Sequence, residues 1–198
     1  MTQDPLPPAP AKRFLILMGM RGCGKSTIGP LLATRCNLPF FDLDECCLAA
    51  LAAESVVAVW NNQGEAAWRE TEVATLAKLL AGEPSIIALG GGTPMITAAA
   101  EIVDAARSCG RVATIYINVD AAIIEERLLA GQDADDRPSL TGRTVYEEVA
   151  EVLALRHPTY QSLADITVDG RHPAKEVVTA IINALAANSP DVPDRHSQ

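Results

Sequence analysis

The feature that most constrains the fold is a glycine-rich segment, "GMRGCGKS", which runs from Gly19 to Ser26. It follows a short apolar run, "RFLILM", and it precedes "TIGPLLATRC", whose composition predicts a helix despite an early proline. This order of strand, loop and helix is the context in which the pattern G-x-x-x-x-G-K-[ST] forms a phosphate-binding loop. The alternative is a glycine-rich turn with an accidental Lys-Ser pair, and the agreement of pattern and flanking segments disfavours it.

The chemistry of this loop points to a nucleoside triphosphate. Its glycines let consecutive backbone N–H groups turn towards a phosphate, and the N-terminus of the following helix adds positive potential. Lys25 is expected to reach the β- and γ-phosphate oxygens, and the hydroxyl of Ser26 is expected to bind Mg²⁺. The chain lacks the N/T-K-x-D motif of GTPases, and its 198 residues are too few for a motor domain. A small-molecule kinase is therefore favoured.

The remainder of the chain alternates predicted strands and helices. After the first strand, the predicted strands are "PFFDLD", "SIIALGGG", "RVATIYINV" and "DITVD". This alternation predicts an α/β domain with a doubly wound, mainly parallel sheet of five strands, as in the P-loop kinase fold, with the ligand site beyond the carboxyl ends of the strands. We expect one domain over residues 13–187, a lid at about 131–142, and disordered tails at 1–12 and 188–198.

Composition excludes several classes of partner. A net charge of -9 and a pI near 4.8 disfavour binding to nucleic acid. The chain has no apolar run near the roughly 20 residues that a membrane-spanning helix needs, and its start lacks a signal-peptide core. We therefore expect a cytoplasmic protein, without nucleic-acid or membrane partners, that acts as a monomer.

The third predicted strand ends on Gly90, Gly91 and Gly92, where many nucleotide-hydrolysing proteins carry an acid that helps to hold Mg²⁺. That acid must then come from another strand. Asp42 and Asp44 stand at the end of the second predicted strand, with a spacing that lets both carboxylates reach one cavity. One would orient Mg²⁺ or its waters, and the other would face the phosphate acceptor. The alternative is that either residue caps the following helix.

Two arginines end apolar helical stripes. Arg69 continues a stripe of Val73, Leu76 and Leu80, and Arg156 continues one of Val145, Val149 and Val152. A guanidinium on an apolar face needs a partner, and a ligand carboxylate could bind it through two hydrogen bonds. For Arg69 the alternative is an internal ion pair with Glu65 or Glu72. The two arginines together favour an anionic substrate.

The segment "GQDADDRPSLTG" lies between Gly131 and Gly142 and contains Arg137 followed by Pro138. The flanking glycines predict a hinged lid. Closure of such a lid would bring Arg137 to the phosphoryl group in transfer, where it would stabilise charge. A solvated surface loop is the alternative interpretation.

These motifs together resemble the shikimate kinases of aromatic amino-acid biosynthesis. The resemblance runs from Arg13 to about Ala187 and rests on the phosphate loop with "DLD", "SVVAVWNNQGEAAWRETE", "LGGGT", "RPSL" and "RHPTY", in the order of the family. It implies transfer of the ATP γ-phosphate to the 3-hydroxyl of shikimate, with Mg²⁺. The alternatives are a related hydroxy-acid kinase, such as one acting on gluconate, and a catalytically weak regulatory paralogue.

The resemblance also implies roles for single residues. Lys25, Asp44 and Arg137 match the catalytic positions, with Asp44 as candidate base, and Mg²⁺ would be held by Ser26 and, through water, by Asp42. The ATP contacts implied are Gly22, Cys23, Gly24, Lys25, Ser26, Thr27, Arg137, Arg171 and Pro173. The substrate contacts implied are Asp44, Arg69, Gly91, Gly92 and Arg156.

Two expectations follow from details of this chain. The three glycines are predicted to form a floor where a bulky side chain would collide with a cyclic polyol acid. The family usually carries an arginine, packed on adenine, seven residues before the lid arginine, and here that position is Ala130. We therefore expect that the arginine contact with adenine is missing at position 130 and that ATP binds loosely. The substitution Ala130→Arg is expected to tighten ATP binding.

Overall fold

Five parallel strands form the centre of the computed structural model, which describes residues 13–130 and 148–188. The strand order is β2-β3-β1-β4-β5, so the first strand lies in the middle of the sheet. Leu17 of β1 pairs with Ala88 of β3 on one side and with Ile115 of β4 on the other. The strands are β1 Phe14–Met18, β2 Phe40–Asp42, β3 Ile86–Ala88, β4 Val112–Asn118 and β5 Ile166–Asp169.

Helices cover both faces of this sheet. Alternate residues of β1 belong to two separate cores, since Leu15 and Leu17 pack in one and Phe14, Ile16 and Met18 in the other. The helices are α1 Lys25–Cys36, α2 Leu43–Leu51, α3 Val56–Leu80, α4 Thr97–Ser108, α5 Ala121–Ala130, α6 Val149–Leu163 and α7 Ala174–Ala187. The predicted doubly wound sheet is confirmed, and its neighbouring strands are all parallel.

Strand β2 is shorter than predicted. It ends at Asp42, and Asp44 already lies in the first turn of α2. The physical reason is a helix cap, because Oδ1 of Asp42 accepts a hydrogen bond from the backbone N–H of Asp44 at 3.1 Å. Asp42 therefore caps α2 with one carboxylate oxygen, and its role at the water shell of Mg²⁺ stays a prediction.

Helix α3 is interrupted by a kink at one position. Gly64 has φ 87° and ψ 163°, whereas Asn61 and Asn62 remain helical. Because residues with a side chain rarely adopt such a φ, the glycine allows a kink in the middle of the helix. The kink separates the first turns of α3 from the segment that carries Arg69.

Several predicted features lie outside the described residues. They are the lid at 131–142 with Arg137, the start of the helix near residue 144, the N-terminal tail, and the C-terminal tail beyond Asn188. The predicted domain limits stay predictions. Within residues 13–130 and 148–188, the structure contains no helix with the length and apolar character that crossing a bilayer requires.

Candidate active site

A cavity of about 980 Å³ opens at the carboxyl ends of the strands, where the sequence predicted the ligand site. Its walls come from the phosphate loop, the ends of β2 and β3, helix α5, and the turn between β5 and α7. The predicted site residues that line it are Gly22, Cys23, Gly24, Lys25, Ser26, Thr27, Asp42, Asp44, Gly91, Arg171 and Pro173. Arg69, Gly92 and Arg156 are not among the lining residues, although Arg156 approaches Gly91, which is, and Arg137 lies outside the described residues.

The phosphate loop has the backbone that its glycines predict. Gly22 and Gly24 have φ values of 79° and 105°. Gly24 is the N-cap of α1, directly before its first residue. Nζ of Lys25 donates to the carbonyl oxygens of Gly19 at 2.9 Å and Met20 at 3.2 Å. The ammonium group is thereby held over the loop, next to the N-terminus of α1.

Ser26 and Asp42 form a pair of oxygen ligands beside this loop. Oγ of Ser26 donates to Oδ2 of Asp42 at 2.9 Å, while the other carboxylate oxygen caps α2. Hydroxyl and carboxylate oxygens are the ligands that Mg²⁺ prefers. Among the described residues no group of three or more His, Cys, Asp and Glu side chains could enclose a metal ion.

The three glycines after β3 leave room for functional side chains of the protein itself. A Cβ on Gly90 would lie 2.7 Å from Oδ1 of Asp44, and a Cβ on Gly92 would lie 2.8 Å from Nη1 of Arg69. Turn geometry does not require glycine at position 92, where φ is -92°. The collisions that these two glycines avoid are with side chains of the protein itself, and a floor beneath a cyclic acid stays a prediction.

Arg69 is held in an ion-pair network. Its Nη1 donates to Oε2 of Glu72 at 2.8 Å, and its Nη2 donates to Oε1 of Glu65 at 2.9 Å. Glu72 is buried, and it also accepts from the hydroxyl of Thr93 at 2.5 Å. Burial alone would lower the pKa of Arg69, but the two carboxylates outweigh it and raise the pKa. The ion pairs named as alternatives are both present, and they fix the guanidinium next to the glycines.

Arg156 approaches the same glycines from helix α6. Its Nη1 lies 3.4 Å from the position that a Cβ on Gly91 would take. Arg69 approaches the next residue, Gly92, from helix α3. The structure thus places two guanidinium groups from distant segments of the chain at neighbouring glycines, and their binding of one anionic substrate stays a prediction.

On the opposite side of the cavity, the turn after β5 carries Arg171 and Pro173. The guanidinium of Arg171 donates to both carboxylate oxygens of Asp169 and lies 3.5 Å from Asp120. Hydrogen bonds from Arg171 lower the pKa of Asp169. Pro173 caps the start of α7. These ion pairs hold Arg171 on the wall of the cavity, alongside Pro173.

Arg127 of α5 is a site residue that the sequence interpretation missed. Its Nη2 donates to the carbonyl oxygen of Gly170 at 2.8 Å, and its Nη1 lies 3.4 Å from the carbonyl oxygens of Gly22 and Cys23. The side chain lines the cavity and connects the phosphate loop to the turn after β5.

The expected effect of Ala130→Arg on ATP binding stays a prediction, but the described residues give position 130 no contact with the cavity. Ala130 is exposed at the end of α5 and does not line the cavity, whereas Arg127 supplies a cation there. The spacing of seven residues was counted from Arg137, which lies outside the described residues, whereas the cavity-lining cation of α5 stands one helical turn earlier. The sequence places Arg127 beside the apolar Leu128 and three residues after the apolar Ile124, which indicates that it lies near the packed side of α5 but gives no sign of its partners.

Arg21 also lines the cavity and was missed. Its backbone nitrogen lies 3.4 Å from the position of a Cβ on Gly91. It occupies a variable position of the loop pattern, so the pattern itself assigned it no role.

Comparison with known proteins decides the family. The family model for shikimate kinase matches residues 21–186. A shikimate kinase from Rhodopirellula baltica is 33% identical over 178 residues, which cover 89% of this chain and 92% of that protein. The chain belongs to the shikimate kinase family. It is accordingly a kinase, an ATP-dependent phosphotransferase.

Other members of the family agree in sequence and in structure. "Shikimate kinase 2" from Erwinia tasmaniensis is 37% identical over 172 residues, covering 87% of this chain and 95% of that protein. The solved shikimate kinase from Aquifex aeolicus has a TM-score of 0.73 and 30% identity, with 88% of this chain and 96% of that chain covered. The gluconate kinase alternative is not favoured.

Proposed function

We propose that the protein transfers the γ-phosphate of ATP to the 3-hydroxyl of shikimate, giving shikimate 3-phosphate and ADP. The observation that carries the proposal is the arrangement of one cavity. A phosphate loop with Lys25 forms one wall, Asp44 lies next to the glycine segment, and the Arg69 and Arg156 guanidinium groups approach that segment from helices α3 and α6.

The glycine side of the cavity suits a hydroxy acid. Arg69 and Arg156 would bind the substrate carboxylate, with Gly91 and Gly92 as backbone contacts. Asp44 would accept a hydrogen bond from the reacting hydroxyl and take its proton. Because phosphoryl transfer has a loose transition state, orientation of the hydroxyl is the larger part of this role.

The phosphate-loop side suits ATP. Backbone N–H groups from Gly22 to Thr27, together with Lys25, would hold the phosphates. Arg127, Arg171 and Pro173 also line the cavity and would contact the nucleotide base. We retain Arg137 as the proposed lid arginine, which would stabilise charge on the transferred group.

Mg²⁺ is the cofactor we propose. The hydroxyl of Ser26 would bind it directly and Asp42 would bind its water shell, and these two oxygen donors lie 2.9 Å apart. When bound with ATP, the ion would neutralise charge on the phosphate oxygens. We further propose that the enzyme acts in the cytoplasm as a monomer.

The reaction product tests the proposal. Incubation with ATP, Mg²⁺ and shikimate is expected to give one new phosphate monoester, whose ³¹P signal couples to the proton on carbon 3. Gluconate in place of shikimate is expected to give no comparable product. A phosphorylated gluconate, or a phosphate on another shikimate hydroxyl, would contradict the proposed acceptor.

Gly92→Ala is expected to weaken shikimate binding about tenfold or more, with little change in the ATP KM. The added Cβ would lie 2.8 Å from Nη1 of Arg69, so the guanidinium must shift from its position beside the site. Shikimate affinity measured by calorimetry checks this result. Gly82→Ala is the control, because its Cβ would lie no closer than 3.3 Å to a neighbouring atom. Equal shikimate affinities in the two variants would refute the assignment.

Arg127→Ala is expected to raise the ATP KM severalfold, while Ala130→Arg leaves it unchanged. A guanidinium facing a nucleotide base contributes about 0.5–2 kcal/mol, or roughly 2- to 30-fold in affinity. Steady-state kinetics with ATP and GTP check both variants, with shikimate KM as the internal control. The expectation drawn from the sequence is supported instead if only the change at position 130 alters the ATP KM.

A further inference from the structure

Tyr160 connects helix α6 to the glycine segment after β3. Its side chain is fully buried, and its Oη donates a hydrogen bond to the carbonyl oxygen of Gly91 at 2.6 Å. Burial raises the pKa of the phenol, so the hydroxyl stays protonated over the pH range of kinase assays. Tyr160 is therefore a permanent donor to Gly91.

Arg156 stands one helical turn before Tyr160, on the same face of α6. Its Nη1 approaches the Cβ position of Gly91 to 3.4 Å. Two residues on consecutive turns of α6 therefore approach Gly91. Arg156 does so with its guanidinium and Tyr160 with its hydroxyl. Any shift of α6 along the glycine segment would stretch the short Tyr160 hydrogen bond.

The hydrogen bond also orients a peptide group. The carbonyl of Gly91 and the N–H of Gly92 belong to one planar trans peptide, in which they point in opposite directions. Fixing the carbonyl on Tyr160 therefore fixes the direction of the next N–H. Gly92 is also the residue whose missing side chain leaves room for Arg69.

We infer that Tyr160 is a positioning residue for the acid substrate. It fixes the orientation of the Gly91 peptide and the distance between that peptide and Arg156. The site for the substrate carboxylate is therefore preformed. The inference rests on the proposed function, because the ligand positioned is the substrate of that reaction. Its expected effect is larger on the binding of shikimate than on the binding of ATP.

The chain offers a matched control in Tyr116. This tyrosine is also fully buried, and its ring centroid lies 5.2 Å from that of Tyr160. Its hydroxyl donates to Asn118 at 3.0 Å and lies 2.9 Å from Nδ1 of His157. Tyr116→Phe thus removes a buried hydroxyl from the same layer while the Gly91 contact stays.

The experiment compares Tyr160→Phe with Tyr116→Phe, both of which keep the aromatic ring and its packing. For Tyr160→Phe we expect shikimate Kd without nucleotide, and shikimate KM, to rise about three- to tenfold. The ATP KM should stay within twofold. Tyr116→Phe should lower Tm comparably and leave shikimate Kd unchanged. The effects of Tyr160→Phe and Arg156→Lys should be less than additive in the double variant.

The inference is overturned if Tyr160→Phe binds shikimate with wild-type affinity, or if both variants weaken binding equally. It is also overturned if the ATP KM rises as much as the shikimate KM. Turnover of the wild-type protein distinguishes a failure of the proposed function from a failure of the role given to Tyr160. If wild type phosphorylates shikimate while Tyr160→Phe binds it normally, only the role of Tyr160 fails.

Discussion

Lys25→Ala is expected to lower kcat for shikimate phosphorylation by about 10²- to 10³-fold, as measured for the loss of one preorganised charge-stabilising group. The ammonium group is held by the Gly19 and Met20 carbonyl oxygens at 2.9 and 3.2 Å, beside the amides that would bind phosphate. Little reorganisation is then needed when charge develops on the transferred group. Steady-state kcat at saturating ATP and shikimate checks the prediction.

The control for Lys25→Ala is Lys78→Ala, a change at an exposed position of α3. Because Lys25 also holds the loop, Tm is measured for both variants. A kcat within threefold of wild type in folded Lys25→Ala would remove the lysine from the transfer step.

Arg69→Ala is expected to weaken shikimate binding by roughly 2–5 kcal/mol, the usual cost of truncating one partner of a buried charge pair. This corresponds to about 30-fold to several thousand-fold in Kd. The variant would also leave buried Glu72 without the guanidinium that lies 2.8 Å away, so some stability should be lost as well. Calorimetric titration with shikimate checks the affinity, and thermal unfolding checks the stability.

Two further variants separate the two effects of Arg69. Arg69→Lys keeps the positive charge but loses the planar guanidinium. We therefore expect a shikimate affinity between those of the wild type and Arg69→Ala. Arg107→Ala is the matched control, since Arg107 is 26% exposed against 24% for Arg69 and pairs with Asp104 away from the cavity. A wild-type shikimate Kd in Arg69→Ala would show that Arg69 only stabilises α3.

Local sequence patterns were sufficient to predict the parallel sheet and the phosphate loop. The glycines of the loop and the apolar run before it form a contiguous pattern, so the backbone of the loop was predictable from adjacent residues. The ion pairs of Arg69 were also readable, because Glu65 and Glu72 lie four and three residues away on one helix. Each of these predictions rests on residues that are close in sequence.

Contacts between distant segments were not readable from the sequence. Arg127 is a site residue because its guanidinium reaches the carbonyl of Gly170, which is 43 residues away. Tyr160 reaches Gly91 over 69 residues. In both cases the partner is a backbone carbonyl, which leaves no signature in the sequence. The need for glycine at positions 90 and 92 likewise depends on side chains from other elements.

The most direct test of the account is ADP release by the wild-type protein with ATP and Mg²⁺, in the presence and absence of shikimate. We predict turnover that depends on shikimate, saturates with it, and falls to the background rate with gluconate or without an acceptor. Folded protein that binds ATP yet releases ADP at the same rate with and without shikimate would contradict the central claim.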